Sequence, residues 1–115
     1  MPAPCHPSTW NPLATEEVRQ QALISIVALV ELHWVLRRSY KVSRTDAVAV
    51  IRRLLAVQEL VIHQTQAVHR ALTRVTSDVD FSDALIAELG FAAGCDYTAT
   101  FDQRATRLSG MRTIP

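Results

Sequence analysis

The sequence predicts an α/β fold, a three-layer α/β/α sandwich on a mostly parallel sheet, and three observations lead there. Short β-rich runs alternate with longer stretches of helical periodicity. Each strand is separated from the next by helix, which favours parallel pairing through crossovers. And 115 residues with 49% hydrophobic side chains suit one domain with one core.

Taken in order, prolines at positions 2, 4, 7 and 12 fix φ and remove backbone donors, so residues 1–12 read as an irregular lead-in to a domain over 13–115. Pro12 suits the first turn of a helix over about 12–22, with Glu16 and Glu17 near its positive end. Residues 23–27 (LISIV) form a β-rich run leading into a helix from Ala28 to Tyr40 that is apolar nearly all round, the mark of a buried helix. Ser43 with Asp46 makes a capping box before Val48, Ile51 and Leu55 at helical spacing, leaving Arg44, Arg52 and Arg53 to face water. Glu59 to His63 is a second strand and Gln64 to Val75 a polar-faced helix. Another helix runs from Asp80 to Ala93, with Gly94 as its left-handed stop. Residues 96–100 (DYTAT) are strand by their β-branched and aromatic content. A short helix from Asp102 to Leu108, a Ser109-Gly110 turn and a last strand from Met111 to Ile114 complete the order.

Twelve basic and eleven acidic residues give a net charge of +1, so no global field announces a polyanion partner. Cys5 and Cys95 have neither zinc-site nor thiol-redox spacing, and the longest apolar run, 22–30, is interrupted by Glu31. The expectation is a reduced, cytoplasmic protein outside any membrane.

Four acids stand out, each with a plainer explanation beside it. Glu31 has Val27, Ala28, Trp34 and Val35 as its helical neighbours, which predicts a carboxylate at least half buried and in need of a metal, an arginine or a proton. Asp80 and Asp83, three apart at a helix start, are equally explained as cap and acidic third residue. Asp102 also suits a cap, yet it follows a strand at its carboxyl end, where open α/β sheets place ligands. Carboxylates converging there would repel one another unless a hard divalent cation sat among them. His33, His63 and His69 form no ligand spacing and read as structural or solvated. Arg37, Arg38, Lys41, Arg44, Arg52 and Arg53 read first as a solvated helical hairpin and second as a phosphate-contacting patch.

Three stretches carry a resemblance: 25–36 (SIVALVELHWVL), 80–87 (DFSDALIA) and 93–102 (AGCDYTATFD). From Ile24 to Ile114 the chain resembles the VapC-type PIN family. The resemblance implies that Glu31, Asp83 and Asp102, with Asp80 as accessory, share a magnesium or manganese ion, and that Thr100 orients a ligand or touches phosphate. It implies a metal-dependent endoribonuclease acting on RNA, an antitoxin protein as partner, and a homodimer. Members typically begin with a middle strand carrying an Asp-Thr-Asn triplet. Residues 1–22 hold no such triplet, so the sheet is expected to lack that strand and the site one acid. The alternative function is a truncated, catalytically weak remnant that binds an antitoxin or PIN partner.

Overall fold

The computed structural model describes residues 20–114. The lead-in over 1–12 and nearly all of the helix expected over 12–22 lie outside them. At the far end of that expected helix, Ala22 is already strand.

Strand β1 (Ala22–Ile24) precedes helix α1 (Ile26–Arg38). The β-rich run therefore ends sooner than its composition suggests. The reason is Ser25, whose hydroxyl accepts from the Ala28 backbone N–H and starts the helix two residues earlier than expected, overriding the strand preference of Ile26 and Val27. Ser43 caps α2 (Arg44–Leu55) by accepting from the Asp46 N–H, as the capping box requires. Then come β2 (Leu60–Ile62), α3 (Thr65–Thr73) and α4 (Phe81–Ala92), the last ending as expected before Gly94 at φ +80°. Strand β3 (Thr98–Thr100), a 3-10 turn (Gln103–Arg107) and β4 (Met111–Thr113) finish the described chain.

The pairing is parallel throughout the described residues: Ala22, Leu23 and Ile24 of β1 face Leu60, Val61 and Ile62 of β2, and Thr98, Ala99 and Thr100 of β3 face Met111, Arg112 and Thr113 of β4. These are two separate two-stranded sheets, with no described strand joining one pair to the other. The fold is α/β, as the sequence predicts, with short parallel strands and four α-helices among the described residues.

One core runs through both halves. Leu29, Ile51, Ile62, Val68, Phe81, Leu85 and Met111 are all buried in it, drawn from the four α-helices and from β2 and β4. Phe81, fully buried at the start of α4, fixes that end of the helix, and truncating so large a ring typically costs about 3–5 kcal/mol. At the other end of α4, Gly90 lets β3 approach so closely that a Cβ there would collide with the Thr98 hydroxyl. Those two constraints set where the end of β3, and with it Asp102, lies relative to the start of α4.

The expectation of a wholly buried α1 is corrected. Leu29 and His33 are its buried residues, whereas Val27 (67% exposed), Trp34 (47%) and Val35 (45%) face solvent. Its apolar circumference exceeds what α2, α4 and the strands cover among the described residues.

Candidate acidic cleft

A cleft of about 170 Å³ opens where α1, α2, the start of α4 and the end of β3 meet. Helix α1 contributes His33, Trp34, Arg37 and Arg38, and Arg44 comes from the first residue of α2. Asp78, Asp80, Ser82 and Asp83 come from the approach to α4 and its first turn, Asp102 and Arg104 from the segment after β3. Aspartates from two separate stretches of the sequence, 78–83 and 102, thus share one cleft.

Their roles differ. Asp80 has the backbone geometry of an N-cap, but its side chain makes no capping bond. It accepts instead from Arg44 Nε at 2.5 Å and lies 3.6 Å from Arg37 Nε. A charge-assisted bond to guanidinium outcompetes a neutral cap, which is why the capping explanation fails for this residue. The same arginines brace the walls: Arg37 Nη1 donates to the Val42 carbonyl at 2.8 Å and Arg44 Nη1 to that of Ser77. Arg44, expected to face water, is therefore half-buried and turned inward. Arg37 Nε is buried without a hydrogen bond, since 3.6 Å is an ion-pair separation only.

Asp83 is half-buried in the first turn of α4 and has no ion-pair partner among the described residues. Burial pushes its carboxyl pKa above the ordinary value, and the negative charges of Asp102 and Asp80 push it further. Asp102 does cap, accepting from the Arg104 N–H at 2.9 Å, and remains exposed. The Thr100 hydroxyl accepts from the Asp102 N–H at 3.1 Å, so Thr100 positions that turn and does not line the cleft.

Glu31 is exposed, and the expectation that its carboxylate is at least half buried is corrected. It sits on the solvent-facing side of α1 and shares that face with Trp34 and Arg38, one and two turns along. The cleft's lining takes in those two residues but not Glu31.

His33 is buried, with Nδ1 2.6 Å from the Ser82 hydroxyl and its ring edge-on to Phe81 at 5.6 Å between centroids. Burial lowers its pKa, opposed by Asp80 and reinforced by Arg37 and Arg44. Its structural reading stands, though the residue also lines the cleft. No local signal in the sequence pairs His33 with Ser82 or Arg44 with Asp80, because those contacts span 49 and 36 residues.

Among the described residues no three His, Cys, Asp or Glu side chains come together as a metal-holding group. Magnesium, however, is commonly held by one or two carboxylates completed by water and substrate phosphate. Asp83 and Asp102, which line one cleft and offer only oxygen donors, fit that mode. Among the described residues no helix is long and apolar enough to cross a membrane.

No curated protein and no solved structure matches the chain significantly. A family model described as the PIN domain matches residues 12–111, starting ahead of the stretch that carries the motifs and taking in every described strand and helix up to the start of β4. The chain belongs to the PIN-domain family.

Proposed function

We propose that this chain is a metal-dependent endoribonuclease of the VapC toxin type, hydrolysing RNA phosphodiesters at the acidic cleft. PIN membership gives a nuclease-type function. The observation that carries the finer reading is the meeting of Asp80, Asp83 and Asp102 in one cleft, with the Asp83 pKa raised by burial first and then by the charges of Asp102 and Asp80. Such repulsion persists in a fold when a cation offsets it in the working state.

Asp83 and Asp102 are the residues that would hold magnesium or manganese. The ion supplies Lewis-acid charge and a more acidic water at neutral pH. Asp80, fixed by Arg44 and Arg37, adds negative charge beside the pair as an accessory. Glu31 joins from the outer side of α1, one turn from the cleft wall, and Thr100 acts through the Asp102 turn. The antitoxin and a second copy of the chain are the protein partners of this reading, with the exposed apolar residues Leu23, Val27 and Val35 as surface for them, and its setting is the cytoplasm.

The test is cleavage of structured RNA with manganese, Asp83→Asn alongside. Loss of an outer-shell partner alone costs metal sites about 10–100-fold, so loss of a direct ligand is expected to cut cleavage roughly 100-fold or more. Equal cleavage by wild type and variant, or cleavage undiminished by EDTA, overturns the assignment.

A second reading is favoured by a different observation: Asp80 is already neutralised by two arginines, and no described trio of ligands converges. It makes the chain a catalytically weak remnant that binds an antitoxin or PIN partner. Calorimetric titration with manganese separates the two, since the remnant takes up no ion at millimolar concentration.

A further inference from the structure

The cleft's four arginines divide into two sets. Arg37 and Arg44 are committed to Asp80 and to the Val42 and Ser77 carbonyls. Arg38 and Arg104 make no ion pair and no side-chain hydrogen bond to any described residue. Free positive charge therefore lies at the rim, and uncompensated negative charge at Asp83 lies inside it.

Arg38 is held by one contact: its guanidinium carbon sits 3.6 Å from the centroid of the Trp34 ring. That separation places the guanidinium over the face of the indole, and both residues are exposed where they line the cleft. The only acid lining the rim beyond the three aspartates already considered would be Asp78, and it is engaged at 3.8 Å by Arg107.

We propose that the Trp34–Arg38 pair is a nucleobase-binding subsite that extends its stack with one unpaired base of single-stranded RNA, while Arg104, from the segment after β3 in the same cleft, takes a backbone phosphate. The inference rests on the nuclease reading for the identity of the polymer and adds the residues that receive an unpaired base. Base faces stack on indole and guanidinium planes alike, and they do so without sequence preference. In a duplex those faces are already covered by neighbouring bases, so the subsite discriminates against paired RNA. A lysine in place of Arg38 would keep the charge and lose the plane.

The experiment measures fluorescence anisotropy of a short fluorescein-labelled oligoribonucleotide, alone and annealed to its complement, in EDTA so that binding is read without cleavage. The single strand is expected to bind more tightly than the duplex. Trp34→Ala and Arg38→Lys should each weaken single-strand binding, by roughly 5- to 150-fold for the loss of one stacked base. Both side chains are exposed, and circular dichroism confirms that the variants fold. Arg104→Ala should weaken both forms alike and reduce the salt dependence.

Duplex binding as tight as single-strand binding, or wild-type affinity in both Trp34→Ala and Arg38→Lys, overturns the subsite. Failure of the underlying reading looks different. Single-strand binding that depends on Trp34, with no cleavage in manganese, upholds the subsite and rejects the nuclease. Cleavage in manganese with binding indifferent to Trp34 and Arg38 does the reverse.

Discussion

Among the described residues two carboxylates lie between two arginines, and the α3–α4 flank treats its own quite differently from the cleft. On the flank, Glu88 is buried and accepts from Arg74 Nη1 at 2.9 Å and Arg70 Nε at 3.3 Å, while Arg74 Nη2 continues to the Ser109 carbonyl at 3.1 Å. Every bond there joins one element to another: α3 to α4, and α3 to the turn before β4. In the cleft, Asp80 is also held by two arginines, yet Arg37 Nε is left without a hydrogen bond and Asp83 next to it without any cation. The flank uses its charges to fasten the fold. The cleft keeps charge in excess of what the fold needs, and that excess is where a ligand would gain most.

Breaking the flank should be the costlier injury. Removing one member of a fully buried ion pair costs about 3–5 kcal/mol, and because Arg70 is more than half exposed we expect Glu88→Ala to lose roughly 2–3 kcal/mol in urea unfolding. RNA cleavage per folded molecule should be unchanged. A loss below about 0.5 kcal/mol would place the flank among ordinary surface pairs and erase the contrast.

The cleft should respond in the opposite direction. Asp83→Asn removes a half-buried charge facing Asp102 and Asp80, so the variant is expected to be more stable than wild type at pH 7, by about 0.5–1 kcal/mol, while losing cleavage. The pH dependence has the matching sign. A carboxyl whose folded pKa is raised contributes stability below its unfolded value and loses it as pH rises through the folded one, so the gap between variant and wild type should close on acidification below pH 4. Adding manganese should stabilise the wild type alone.

How far the sequence foretold this can be seen residue by residue. Ser43, Gly94 and the β-branched 98–100 run act locally, through a cap, a positive φ and strand propensity, and their elements appear where patterning put them. Ser25 is local too, but its cap competes with a β-rich run, and only folding shows which of the two prevails. Asp83 and Asp102 were legible as candidates from motif and position, whereas their meeting depends on Phe81 packing and on the closeness that Gly90 allows. Glu31 misled the helical pattern because apolar neighbours at three and four residues imply burial only where another element covers that face. Arg44 and His33 were illegible for a simpler reason: their partners lie 36 and 49 residues away.

His33 gives the smallest effect and the finest probe of the cleft's floor. Its pKa is lowered chiefly by burial, so the neutral ring contributes stability above pH 6.5 that is lost as pH falls below that value through the depressed folded pKa. The bond to Ser82 survives protonation, because the hydroxyl donates to a bare Nδ1 and accepts from a protonated one. What changes is a cation placed under cover beside Arg37 and Arg44, only partly offset by Asp80. Thermal unfolding of wild type against His33→Gln from pH 8 to pH 5 should show the wild type's advantage shrinking by about 1 kcal/mol or less. An advantage that grows on acidification would mean that Asp80 outweighs burial and both arginines, and that the cleft floor is more negative than its two guanidinium contacts imply.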